Sequence, residues 1–326
     1  MPFRRIFGHE NPISALKSAV AGGRLAHAYL FSGMEAIGKR TTALAFAQLI
    51  NCEHPEDLDA CGACSSCRKI DGGLHPDISV IAAQGAFIRI GDIRQMQERM
   101  SFRPLEGRKR VLILDDADRM NDVAANALLK TLEEPPPFNI LILVTTAPHR
   151  LPVTVVSRCR TLRFRPLSSD AVATFLRESA GMEATMASFL ASVSGGSIGR
   201  ALRMDGDAFL ESRRFVLEEV LAETRGRLLR VIGLAGTFGG TNEEIGLKID
   251  ILRTFWRDVL VFKETGEEKR LVFRDQIDRI RTFAGALPGE RILEGIRAAE
   301  DATAALERNA NKQLTLETML IKVAQL

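Results

Sequence analysis

The sequence predicts an α/β fold, with a parallel sheet covered by helices in the first half and helices alone afterwards. Three observations carry this. Between residues 3 and 165, short apolar runs alternate with stretches of helical spacing. Several of the strand-like runs end in glycine or acidic residues, as AYLFSG and VLILDDAD do. Beyond about Asp207 nearly every segment has helical spacing and no convincing strand pattern. With 326 residues, 46% of them hydrophobic, the chain can bury a substantial core and is long enough for two or three domains.

In order, AYLFSG reads as a strand, TTALAFAQLI as a helix, ISVIAA and VLILDDAD as strands, NALLKTLEE as a helix and NILILVTTA as a strand. Pro166 in RPLSSDAVATFLRE interrupts regular structure, and Ser168 or Ser169 is placed to cap a new helix. The run SGGSIGR, residues 194–200, is a glycine-rich turn feeding another helix. Near the end, Leu314, Leu316, Met319, Leu320 and Val323 are expected to share one helical stripe that packs into the core, though an oligomer contact would use the same pattern. The domains expected are residues 1–165, a small helical unit over 166–207, and a helical domain over 208–326.

The formal net charge of +3 is too small to mark a chain that lives on phosphates. The first residues, MPFRRIFGHENP, lack the apolar stretch of a secretory signal, and the longest apolar runs are too short to span a bilayer. A cytoplasmic location is expected. Arg108, Lys109 and Arg110 form a basic run, read as a solvated charge cluster whose contact with DNA would be weak and sensitive to salt.

In FSGMEAIGKRTTA, Gly33, Gly38 and Lys39 follow an apolar strand and open a helix, the setting of a phosphate-binding loop. In a working loop the next residue is a serine or threonine whose hydroxyl holds magnesium. Here it is Arg40, which has donors and no acceptor, and Thr41 is one residue further round the helix. Asp115 ends a strand at the position of a magnesium-associated carboxylate. Asp116 stands where a glutamate would orient water, and its side chain is one methylene shorter. Both departures point to lost hydrolysis. Nucleotide binding without turnover, and an unusual but intact ATPase, stay open on these residues alone.

Four of the five cysteines, Cys52, Cys61, Cys64 and Cys67, fall in one short segment. In a reducing compartment this spacing favours a structural zinc site over disulfides, and Gly62 and Ala63 allow the tight turn that brings the thiolates together. His54 is a further donor nearby, but the four cysteines already complete the set. Four protein ligands leave no open position for water, so zinc catalysis is not expected.

The runs NALLKTLEEPP (residues 126–136) and LVTTAPHRLPVTVVSRCRTLRF (residues 143–164) resemble the clamp-loader branch of AAA+ proteins. The cysteines, the GKR loop, the DDAD motif and the terminal NANKQLTLETMLIKV extend the resemblance over nearly the whole chain. It implies a RecA-like AAA+ domain, a small helical lid and a helical collar that joins subunits into a circular heteropentamer. The GKR loop, where motor subunits carry GKS or GKT, is similar to that of a subunit that does not hydrolyse ATP. The implied partners are gamma/tau motor subunits and the delta subunit, and indirectly a sliding clamp and primed DNA. Ser157, Arg158 and Cys159 match an SRC motif whose arginine reaches the ATP of the neighbouring subunit, with Cys159 a packed small hydrophobe. Thr145 and Thr146 match a first sensor, and Arg200 a second. A zinc-stabilised DNA-binding module is the rival from another class.

Overall fold

The computed structural model describes residues 1–83, 87–204, 206–221, 228–308 and 310–324, and its contacts divide the chain into two units. One holds residues 1–167 together with Ser197–Gly199, and the other holds the rest.

In the first unit α1 (Glu10–Ala21) precedes β1 (Ala28–Ser32), α2 (Lys39–Asn51), α3 (Ser65–Asp71), β2 (Ile78–Ile81) and α4 (Ile90–Met100). Next come β3 (Arg110–Leu114), α5 (Asp122–Glu133), β4 (Asn139–Thr145), the single turn α6 (Val153–Val156) and β5 (Arg160–Arg163). The five strands form a parallel sheet in the order β2-β3-β4-β1-β5. β1, β3 and β4 are buried along their whole length, as expected of central strands with helices on both faces. Removing Leu30, Phe31, Ile113 or Leu143 from water contributes roughly 1.5–3 kcal/mol each. The register pairs Ser32 with Thr145 and Leu114 with Leu143, so the carboxyl ends of β1, β3 and β4 share one edge. Ligands of open parallel sheets bind at such an edge.

Among the described residues β5 pairs with β1 alone, and it exposes Arg160 and Arg163. Asn121 caps α5 by accepting from the amide of Ala124 at 2.9 Å.

Arg110 corrects the reading of residues 108–110 as a solvated run. It is buried, with a nitrogen 3.1 Å from a carboxylate oxygen of Asp77, which is fully buried. The Asp77 carboxylate also accepts from the amides of Leu105, Glu106 and Gly107, each at 2.8 Å. Arg110 donates in turn to the carbonyls of Phe102, Arg103 and Arg99. One ion pair thus fastens the whole connection between α4 and β3.

Among its described residues the second unit holds helices joined by turns and loops, with no strand. It holds α7 (Ser169–Glu178), α8 (Ala184–Val193), most of α9 (Ile198–Arg203), α10 (Gly206–Phe215) with a wider turn over Val216–Val220, and α11 (Leu228–Thr237). The long α12 (Asn242–Thr265), α13 (Ile277–Ala286), α14 (Gly289–Glu307) and α15 (Lys312–Ala324) complete it. Ser168 caps α7, accepting from the amide of Ala171 at 3.2 Å. Thr241 and Glu244 form a reciprocal capping box at the start of α12. On α15, Leu316, Met319, Leu320 and Val323 are buried, but Leu314 is 64% exposed. At 100° per residue Leu314 lies opposite the other four, so the expected stripe has four members. Asn309, Gln325 and Leu326 of the terminal segment lie outside the described residues. No described helix is long and apolar enough to cross a membrane.

Candidate functional site

The chain leaves β1 through Gly33 and enters α2 after Gly38, whose φ of 103° lies in the left-handed region open to glycine. A β-carbon on Gly33 would lie 2.5 Å from the carbonyl oxygen of Phe164, so the loop passes β5 closely enough to exclude any other residue. Lys39 folds back over the loop, its ammonium donating to the carbonyls of Gly33 at 2.7 Å and Met34 at 2.5 Å. Burial lowers its pKa, against the opposing pull of Asp115, Asp116, Asp118 and Glu35. Thr41 is half-buried in the first turn of α2, and the neighbouring Thr42 hydroxyl donates to the carbonyl of Gly38.

Arg40 reaches the acidic strand end. Its guanidinium lies 3.5 Å from a carboxylate oxygen of Asp115. Burial raises the Asp115 pKa and the Asp116 charge raises it further, while Arg40 and Lys39 pull it down. Asp116 adopts a left-handed conformation, φ 54°, and pairs with Arg119 at 3.6 Å. Asp118 instead accepts from the Thr145 hydroxyl at 2.5 Å and from the Thr146 amide at 3.1 Å. Burial alone would raise the Asp118 pKa, but these hydrogen bonds hold it below the ordinary carboxylate value. Thr145 and Thr146 therefore hold an aspartate on the short 3-10 turn Ala117–Arg119 that follows β3.

Two anchors of the loop escaped the sequence reading. His9, itself in a left-handed conformation, places its Nε2 2.7 Å from the carbonyl of Ile37, and burial keeps its pKa low. Ser197 donates its hydroxyl to the carbonyl of Glu35 at 3.0 Å, and the Gly199 amide donates to the carbonyl of Ala36 at 3.1 Å. A β-carbon at Gly199 would come within 2.6 Å of that same Ala36 oxygen. Of the two anchors, only the glycine-rich run 194–200 left a trace in the sequence, and it read as a turn. Arg200, the residue matched to a second sensor, lies in the other unit, 3.8 Å from Asp250.

Arg158 follows the α6 turn and is 37% exposed. It donates to the carbonyl of Thr154 at 3.0 Å, approaches the Ser157 hydroxyl at 3.5 Å and pairs with Glu133 at 2.9 Å. Cys159 packs against the core beneath α5, and burial pushes its thiol up to about 12.

The sulfurs of Cys52, Cys61, Cys64 and Cys67 all lie within 4.8 Å of one another, and the group contains cysteines alone, without His54. Cys52 closes α2, Cys64 caps α3 and Cys67 sits in its first turn. Amides of Cys61, Ala63, Cys64 and Cys67 each point at a cysteine sulfur, at 3.3–3.4 Å. The amides of Ala63 and Cys64 draw the Cys61 thiol down to about 6, which favours the metal-binding thiolate. Asp59, also missed from sequence, sits inside this loop and accepts from the amides of Phe3 at 2.8 Å and Arg4 at 3.0 Å.

A phosphate-type loop, an acidic strand end and a threonine-bearing strand on adjacent parallel strands define the AAA+ class of nucleotide folds. Residues 8–168 match the family described as "DNA polymerase III, delta subunit", and residues 208–325 the family described as "DNA polymerase III, delta subunit, C terminal". DNA polymerase III subunit delta' of Bacillus subtilis is 33% identical over 95% of this chain and 94% of its own length. DNA polymerase III subunit tau of the same organism is 27% identical over 99% of this chain, which spans 61% of that longer protein. A gamma subunit-related protein of Thermotoga maritima superposes with a TM-score of 0.46 at 19% identity, covering 95% of this chain and 97% of the other. The chain belongs to the delta' family of DNA polymerase III subunits.

Proposed function

We propose that this chain is a delta'-type clamp-loader subunit that helps place a sliding clamp on primed DNA in the bacterial cytoplasm. It works with gamma/tau motor subunits and the delta subunit, and lends Arg158 to a neighbour's ATP site without hydrolysing ATP itself. The 33% identity to a delta' relative along nearly the whole chain supports the clamp-loader role. The single observation carrying the division of labour is the Arg40 guanidinium against Asp115. Magnesium at this place needs oxygen ligands, and position 40 offers a cation with donors only. The residues present therefore do not fit a magnesium–nucleotide centre. The domain division that goes with this reading is an AAA+ domain over 1–165, a lid over 166–207 and a collar over 208–326.

Reconstitution with motor and delta subunits tests the reading. Clamp loading is expected to depend on this chain, while the isolated chain shows no magnesium-dependent ATP turnover. Turnover by the isolated chain that is abolished by Lys39→Ala would show a motor instead. Tight primer-template binding by the chain alone would favour a DNA-binding module.

The cysteine cluster fits zinc. The sulfur separations of 3.7 Å and 4.0 Å are close to the edge of about 3.8 Å that zinc–sulfur bonds of about 2.3 Å give a tetrahedron. Bound there, zinc supplies a structural crosslink. Freshly reduced protein is expected to carry about one zinc per chain by elemental analysis, and serine at Cys64 and Cys67 to reduce its retention. Chelation is expected to raise hydrogen exchange first in residues 52–67 and at Phe3 and Arg4, which Asp59 ties to that loop. Simultaneous loss of protection across β1, β3 and β4 would refute a local role.

A further inference from the structure

The Arg158 head group is tethered before any neighbour is present. One terminal nitrogen donates to the carbonyl of Thr154 and lies 3.5 Å from the Ser157 hydroxyl, both local to the α6 turn. The other terminal nitrogen meets Glu133, which lies 25 residues away and belongs to a different helix. Glu133 is the last residue of α5, whose Leu128 and Leu132 are buried in the core, and three prolines, Pro135, Pro136 and Pro137, follow closely. Glu133 is thus fixed by a helix that is itself fixed, whereas Arg158 stands on a single turn.

We propose that Glu133 is a positioning residue for Arg158: its carboxylate holds the guanidinium plane in one orientation, so that the remaining N–H donors face outward for a phosphate on the adjoining subunit. The proposal rests on the reading of Arg158 as the arginine lent to a neighbour. An arginine has five donors in a rigid fork, so anchoring one edge orients the others, and a lysine has no such plane to orient. Preorganised donors cost no rearrangement when charge develops on a transferring phosphate. Because the pair is partly exposed, its contribution is modest, about two- to fivefold in rate.

The test uses the reconstituted loader, with assembly checked by gel filtration for every variant. Glu133→Gln keeps size and removes charge, and with Glu133→Ala it is expected to lower kcat for ATP at the neighbouring site, read in single turnover, about two- to fivefold with KM unchanged. Glu133→Asp is expected to recover part of the loss. In an Arg158→Ala background the Glu133 substitutions are expected to have no further effect, since there is nothing left to position. Unchanged kcat in the Glu133 variants beside a large loss in Arg158→Ala would overturn the positioning role and leave the lent arginine standing. An equal loss from Glu133→Gln in both backgrounds would also overturn it, by showing that Glu133 acts through another group. Full activity of Arg158→Ala would remove the lent arginine itself, and the positioning role with it.

Discussion

Arg158→Ala is expected to lower ATP turnover at the neighbouring site about 10³-fold in the reconstituted loader, the scale on which trans-acting arginines work in phosphoryl transfer. The loader's total rate then falls by whatever share that site carries. The chain itself is expected to fold and assemble normally, because Arg158 is 37% exposed and its ion pair with Glu133 is also partly exposed. Arg158→Lys is expected to remain impaired, since an ammonium cannot reproduce the planar fork. Single-turnover measurement with thermal melting as the control separates the two effects. A wild-type rate in the alanine variant would rule out the lent arginine.

The second large effect concerns stability. Asp77→Ala leaves the Arg110 guanidinium buried beside three amides that have lost their acceptor, and is expected to cost about 3–5 kcal/mol. Denaturant titration reads this as a lower midpoint at unchanged slope. The same carboxylate predicts a pH dependence. Burial pushes its pKa up, but the amides of Gly107, Glu106 and Leu105 and the Arg110 guanidinium outweigh burial and hold it below the ordinary value. A depressed folded-state pKa means the unfolded chain binds the proton more readily. The stabilisation is therefore complete above about pH 4 and is lost as pH falls through the folded-state value. Asp77→Asn should flatten the stability profile on that acid side; an unaltered acid limb would show that other carboxylates dominate it.

How far the sequence spoke depended on whether a feature repeats. The buried runs of β1, β3 and β4 are uninterrupted apolar stretches, and they read as strands. β5 is four residues long with arginine at both ends, so its pattern is that of an exposed rim and it left no such signal. The four cysteines were legible because spacing alone defines them, and the structure brings their sulfurs together. Arg40 was legible as a departure because a short motif carries an arginine where a serine or threonine is usual, and the structure sets it beside Asp115. His9, Asp59 and Asp118 were not, because each meets partners distant in sequence that only the folded chain brings near. Arg110 was misread for a related reason. Between Lys109 and an apolar strand it looks like the end of a surface run, and nothing nearby names Asp77, 33 positions earlier, as its partner.

The contact between Ser197 and Glu35 spans 162 positions. A ribosome delivers Glu35 long before Ser197, so the nascent chain carries this loop without its closing contact while the intervening segments emerge. Closure over so long a stretch costs chain entropy that local helix formation does not, which puts this step late in maturation. Until then the backbone of residues 33–38 has its His9 and Lys39 contacts but lacks those of Ser197 and Gly199, and truncated or stalled translation products ending before Ser197 are left with that half-finished loop.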